Sequence, residues 1–307
     1  VGLVNNMPKS AYAATARQFG DLMAEAAGAI PVELAPFHFA ATHGAEPVHP
    51  MTVGQSRPAS EIARASLDAV IVTGAEPRAE RLNDEPYWPE FIAMTDELAS
   101  LGLPVMWSCL ATHAAVLHLK GVERQRTAHK TSGVFEFLVN SHHPLASDLP
   151  GHLNAPHSRW NGLPLSDLKD SGAQLISASA MVGADSFTLA EHPGFIFLQG
   201  HPEYDADTLV RECRRDLLRY AEGATSCPPR PPIGLLRAET EHGLEALGQE
   251  ARGMEPSELC AQFDQLMSNQ ILRQYWRRSA VNLYRAWLET QILPRYAQHL
   301  AQSETLS

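Results

Sequence analysis

Three residues of this chain are of the right type to share one reaction: Cys109, His201 and Glu203. A thiol is a strong nucleophile once ionised. An imidazole can take or return a proton beside it, and a carboxylate fixes the imidazole tautomer and stabilises its charged form. Cys109 lies within Leu103 to Ala115, LPVMWSCLATHAA. His201 and Glu203 lie within Gln199-Gly-His-Pro-Glu-Tyr204, directly after the apolar run Phe195 to Leu198. Each residue taken singly has a plain structural reading. Free cysteines are commonly buried small hydrophobes, and the chain has 14 histidines. The functional reading rests on their conjunction, because each falls at the end of an expected strand.

The local pattern predicts how they are held. Val105 to Ser108 reads as a short buried strand, and Leu110 to Leu119 as a helix with Leu110, Ala114 and Leu117 at helical spacing. A sharp turn between them lifts Cys109 out of the sheet and aims helix amides at it, and a helix N-terminus favours negative charge. Asp68 to Thr73 is the clearest buried strand and ends at Gly74. Ala11 to Ala27, Trp88 to Ser100 and Asp205 to Ala221 are expected helices, Pro31 to Pro36 is a strand candidate, and Ser60 to Ser66 is a helix or loop. Strands alternating with helices imply parallel pairing, with ligands at the carboxyl ends of the strands. From Gly133 to Leu198, five short strands (Gly133 to Val139, Leu153 to His157, Gln174 to Ser179, Ser186 to Ala190, Phe195 to Leu198) suggest an antiparallel or mixed extension. A stiff Cys227-Pro-Pro-Arg-Pro-Pro232 segment follows. From Ser257 the chain reads as helical again, through Met267 and then over Ile271 to Leu300 with a break at Pro294. The expected fold is α/β, a mostly parallel sheet flanked by helices. The expected organisation is a catalytic unit over 1–225, a Pro-rich linker over 226–256 and a helical extension over 257–307 packed on the first unit.

Composition narrows the function. At 307 residues, 44% hydrophobic and 19% charged, the chain can bury a large core. A net charge of −11 argues against a nucleic-acid or anionic-membrane surface. The four cysteines are widely spaced, with no Cys-x-x-Cys pair, so neither a metal site nor a disulfide framework is expected. No stretch reads as a signal peptide or approaches the ~20 apolar residues of a membrane span. A cytoplasmic protein with reduced thiols is the expectation. Val1 falls inside an apparent strand, so further residues are expected upstream.

A set of ordered motifs carries a resemblance. These are Asn5, Met7 and Pro8; Val72 to Ala75; Asn83, Asp84, Tyr87, Trp88 and Pro89; Arg126, Thr127, Lys130 and Ser132 to Val134; Ala155 to Arg159; Gly200 to Ala206; and Trp276-Arg277. Together with Cys109 they resemble the homoserine O-acyltransferase (homoserine O-succinyltransferase) family, which is built on the class I glutamine amidotransferase fold. The resemblance runs from about Val1 to Trp287.

That resemblance implies acyl transfer from an acyl-CoA to an amino-acid hydroxyl in methionine biosynthesis, with no permanently bound cofactor. Cys109 would form the acyl-enzyme, His201 would activate the acceptor and Glu203 would hold His201. The oxyanion would sit near the Leu110 amide and the Gly74-Ala75 turn. Lys130, Ser158 and Arg277 match the family's substrate-binding positions, and Arg78 the position that governs acyl choice. Read without the family, Lys130 and Arg277 are solvated surface cations and Ser158 is a turn residue. The family's aromatic after the nucleophile is replaced by Leu110, and one extra residue precedes Lys130. Arg78 suits a succinyl carboxylate by charge, while its bulk suits acetyl. Succinyl-CoA to L-homoserine is favoured, with acetyl-CoA as donor or L-serine as acceptor left open, since one methylene is worth only ~1–3 kcal/mol. Small-molecule substrates are the expected partners, with no nucleic acid and no membrane, and a homodimer is compatible. The rival classes are a glutaminase or other amidohydrolase on the same triad, and a binding protein in which Cys109 is a structural or redox-sensing thiol.

Overall fold

A computed structural model describes residues 1–43 and 56–298. Residues 44–55, within the polar stretch after Pro36, and 299–307, the end of the expected helical extension, lie outside the described residues. Among the described residues ten strands form one sheet. They are β1 (Gly2–Val4), β2 (Ala35–His38), β3 (Arg57–Pro58), β4 (Val70–Val72), β5 (Val105–Ser108), β6 (Gln125–Val139), β7 (His152–Gly162), β8 (Ala173–Ser179), β9 (Gly183–Leu189) and β10 (His192–Leu198). Their order is β3-β2-β1-β4-β5-β10-β9-β8-β6-β7. The pairs from β3 through β10 are parallel, and those from β10 to β7 are antiparallel. The mostly parallel core with a mixed extension is therefore as expected. β10 belongs to both halves, so the strand that leads to His201 runs parallel beside the strand that ends at Cys109.

The helices are α1 (Lys9–Ala27), α2 (Ala40–His43), α3 (Trp88–Ser100), α4 (Leu110–Lys120), α5 (Leu165–Asp170), α6 (Thr208–Ala221), α7 (Ala238–Glu250), α8 (Pro256–Met267) and α9 (Arg277–Trp287). The period of two along the central strands decides what each covers. Val105 and Trp107 of β5 face one core with Phe91 of α3 and Phe197 of β10. Met106 faces the other core with Phe19 and Leu22 of α1 and Tyr284 and Trp287 of α9. Trp107 is fully buried and packs against Phe91 and Phe195 at centroid distances of 5.5 Å. Truncating such a side chain to alanine costs about 3–5 kcal/mol. No described helix is long and apolar enough to cross a membrane.

Several boundaries differ from the sequence reading. β6 begins at Gln125, ahead of Gly133, and β7 continues to Gly162, because the two strands pair with each other over nearly their whole lengths. Ser60 to Ser66 is represented by a 3-10 helix at Ala59–Arg64. The expected linker contains α7, whose Leu244 and Leu247 are buried against α6 and α8. Proline stiffness ends at Pro232, and an apolar pair at helical spacing takes over. Residues Ile271 to Trp276 are not helical, since Gln274 and Trp276 donate to the Tyr204 carbonyl at 2.6 and 3.2 Å. The helix also does not break at Pro294. A π turn over Leu288–Ile292 precedes it and the helix runs on, which is how a helix accommodates a residue that cannot donate.

Candidate active site

β4, β5 and β10 end side by side, and the loops leaving them build the site. Cys109 stands between β5 and α4 with φ 51° and ψ −110°. Among the described residues it is the single non-glycine with positive φ. Such a backbone costs on the order of 1–3 kcal/mol and persists only where its surroundings enforce it. They do: the Cys109 amide donates to the Leu198 carbonyl at 2.8 Å. The Thr112 hydroxyl bridges the Trp107 and Leu198 carbonyls at 2.9 and 2.8 Å. The turn is thus pinned to both strands. Leu110 is the first residue of α4, so its amide has no acceptor within the helix. The loop after β4 lies against it. A Cβ on Gly74 would come within 2.7 Å of the Leu110 amide nitrogen and 2.9 Å of its Cβ, so only glycine lets the loop approach there.

His201 leaves β10 through Gly200. A Cβ on Gly200 would stand 2.6 Å from Asp185 Oδ1 and 2.9 Å from His157 Nε2, so the turn rests directly on that buried pair. The His201 amide donates to Pro156 at 2.8 Å. Its Nδ1 lies 2.8 Å from Glu203 Oε1, and the Glu203 side chain is only 4% exposed. Burial by itself pulls the His201 imidazole down, but the Cys109 sulfur, a side-chain hydrogen-bond partner, and the Glu203 carboxylate outweigh it. They hold His201 well above its ordinary value. Cys109 and Glu203 therefore flank the imidazole, and both favour its charged form. Behind it, His113 is pushed down to about 3 by burial, although Gln199 opposes this. Gln199 Oε1 accepts from the Leu163 amide and contacts His113 Nε2, both at 3.0 Å. This assigns the proton of neutral His113 to Nε2.

A second cluster adjoins the first. The Tyr204 ring stacks on His201 at 4.2 Å, and its hydroxyl donates to Glu212 Oε1 at 2.9 Å. Ser158 of β7 donates to Glu212 Oε2. Lys130 of β6 reaches Asp216 Oδ2 at 2.7 Å and Glu212 Oε2 at 3.4 Å. Arg215 forks onto Asp216 Oδ1 at 3.0 and 2.9 Å. Burial pushes the Glu212 carboxyl up, but Lys130, Ser158, His201 and Arg215 hold it below the usual carboxylate range. Two cations and two carboxylates thus meet next to the imidazole.

The sequence profile of the homoserine O-succinyltransferase family matches residues 1–295. The chain belongs to that family. It is 40% identical over 288 residues to a homoserine O-succinyltransferase of Methylorubrum extorquens, covering 94% of this chain and 86% of the relative. The one from Rhodopseudomonas palustris is 38% identical over the same shares. Among solved structures, a glutamine amidotransferase from Methylobacillus flagellatus matches with TM-score 0.50 at 18% identity, covering 89% of this chain and 88% of that one. This likeness concerns the fold.

Of the family-matched residues, the fold brings Lys130 and Ser158 into the second cluster, while Arg277 pairs with Glu25. Arg277, at the start of α9, donates from Nε to Glu25 of α1 at 2.6 Å. Arg78 is exposed, while its amide and that of Ala79 are held by the buried Glu85 carboxylate at 2.6 and 2.8 Å. It borders a cavity of about 260 Å³ that Asn6, Thr42, Ala75, Glu85 and Tyr87 also line. Tyr204, Glu212 and Arg215 were missed as site residues in the sequence. A signal existed for Glu212: it and Asp216 are carboxylates one turn apart on an amphipathic helix whose buried stripe includes Cys213 and Leu217.

Proposed function

We propose that the chain transfers a succinyl group from succinyl-CoA to the hydroxyl of L-homoserine through an acyl-cysteine on Cys109. The observation that carries this reading is the enforced positive-φ turn at Cys109, facing the His201 imidazole that Glu203 holds. The sulfur anion attacks the thioester carbonyl. The oxyanion sits between the Leu110 amide and the Gly74-Ala75 turn. The C–S bond to CoA breaks, and the His201 proton goes to the departing CoA sulfur. Acylation also removes the negative sulfur, one of the two charges that held the proton on His201. His201 is then neutral at Nε2 and can take the acceptor's hydroxyl proton. The alkoxide attacks the acyl-cysteine, and the ester leaves with the cysteine anion and imidazolium restored.

The second cluster suits a zwitterionic acceptor. An α-ammonium group pairs with Glu212, and an α-carboxylate pairs with Lys130 and the fork of Arg215. We assign this role to Arg215 in place of Arg277, whose nearest partner is Glu25. We assign to Arg78, which borders the adjoining cavity, the free carboxylate of a succinyl group; its charge and its position at that cavity support this reading.

Intact-mass measurement tests the reading. A succinyl adduct on Cys109 after mixing with succinyl-CoA, discharged by homoserine in preference to serine, is the expected result. An acetyl adduct alone, discharge by serine alone, or release of ammonia from glutamine would overturn it.

A further inference from the structure

We propose that Tyr284 is a positioning residue for Glu203: its hydroxyl serves the second carboxylate oxygen, directly or across one water, so that α9 completes the catalytic triad. The proposal rests on the reading above and adds a residue that lies outside every motif in the chain.

Glu203 uses only one of its oxygens on His201. The other, Oε2, is buried and has no hydrogen-bond partner. A carboxylate oxygen left bare in a protein interior is costly, and native structures rarely tolerate one. The Tyr284 hydroxyl is likewise fully buried and without a partner. A phenol there is an obligatory donor in search of an acceptor. Tyr284 belongs to the same core as Ile196 and Leu198, the strand residues that lead to His201 and Glu203. The chain just ahead of α9 is tied to the same turn, through Gln274 and Trp276 on the Tyr204 carbonyl. The two unpartnered groups also sense each other. Burial raises the Tyr284 phenol well above its ordinary value, and the Glu203 charge pushes it further the same way, against a smaller opposing effect of Arg277. One donor and one acceptor, both buried, both unpaired and within electrostatic reach, satisfy each other at the lowest cost. A water between them would serve equally, since a buried water needs only two to four polar partners.

The consequence for His201 has a definite sign. A donor on Oε2 disperses the Glu203 charge and makes the carboxylate a weaker partner for the imidazolium. Removing it leaves a more basic carboxylate, which holds the His201 proton more tightly. Tyr284→Phe keeps the ring packing and removes only the O–H. The measurement is the titration midpoint of His201, followed by NMR of carbon-13-labelled histidine and assigned with His201→Asn. It needs no substrate, so it stands or falls separately from the acyl-transfer reading, which the adduct experiment decides. The midpoint should rise in Tyr284→Phe. Turnover should fall about tenfold, the loss expected for one bond to a charged group. The effect should disappear on a Glu203→Gln background. Leu283→Ala, which removes apolar packing from the same core and no hydrogen-bond donor, should lower the melting temperature without moving the midpoint. An unchanged or lowered midpoint in Tyr284→Phe would overturn the proposal. So would a high-resolution structure of the unaltered protein in which Oη and Oε2 are neither within about 3.5 Å of each other nor joined by a shared water.

Discussion

The two halves of the site are built in different ways. Around Cys109 and His201 the backbone does the positioning. A positive-φ turn is bonded to two strands, and glycines at 74 and 200 allow approaches that any Cβ would block. Around Glu212 the side chains do it: Lys130, Ser158, Tyr204, Arg215 and Asp216 converge from two strands, a turn and a helix through hydrogen bonds and ion pairs. The first arrangement is rigid, as bond making requires. The second can be retuned by exchanging single side chains, which is what choice of substrate requires. Reacting atoms gain from being fixed to within fractions of an ångström, whereas recognition gains from charge complementarity.

The sharpest way to break this comparison is at the backbone-built half. Cys109→Ala should abolish both the acyl adduct and turnover while leaving the fold intact. Cys109→Gly should be equally inactive yet more stable than Cys109→Ala by about 1 kcal/mol, because glycine relieves the positive φ. Comparative melts check this, and equal stability of the two would mean the turn is not strained.

Next in size is the His201–Glu203 pair. His201→Asn should cost more turnover than Glu203→Gln, since an amide still orients the ring but cannot stabilise its charge. Steady-state kinetics of both variants decide it, and small equal losses would remove His201 as the base. The pair also has a pH signature. His201 is held above its unfolded value, so its contribution to stability is full below the unfolded pKa. That contribution is lost as pH rises through the folded one. His201→Asn should flatten that decline in a melting-temperature series.

The side-chain-built half should respond through binding. Arg215→Ala and Lys130→Met are expected to raise the acceptor KM roughly ten- to a hundredfold, with adduct formation from succinyl-CoA intact. Arg277→Ala should change the same KM by less than about threefold, as exposed pairs contribute little. A larger effect at Arg277 than at Arg215 would reverse the assignment. A smaller effect still is expected at the donor. Arg78→Glu should shift the ratio of kcat/KM for succinyl-CoA over acetyl-CoA toward acetyl by about tenfold or less. An unchanged ratio would remove Arg78 from donor choice.

His113 should matter to stability alone. Its folded value lies near 3, so the unfolded chain takes up a proton that the folded one refuses. Stability is present above the unfolded value of about 6.5 and is lost as pH falls toward 3. His113→Gln should lessen that acid sensitivity in denaturant titrations across this range. An unaltered slope would mean that other groups set it.

What the sequence determined by itself is local. The apolar runs ending at Thr73, Ser108 and Leu198, with Gly74, Cys109 and His201 next, specify strand ends and the residues leaving them. Alternation and helical spacing are properties of neighbouring residues and need no tertiary context. The parallel core, its mixed extension and the conjunction of Cys109, His201 and Glu203 were legible for that reason. What only the tertiary structure decided is which distant side chains meet. Arg215 and Arg277 are both arginines on amphipathic helices, and no local pattern separates them. The packing of α6 beside His201 and of α9 against α1 sends one to Asp216 in the cluster around Glu212 and the other to Glu25. The same holds for α7, whose buried leucines have meaning only once α6 and α8 provide a surface, and for the non-helical Gln274 to Trp276, which gives up helical bonds for the Tyr204 carbonyl. Local propensities are worth fractions of a kcal/mol per residue, and a buried aromatic or a bonded carbonyl outweighs them.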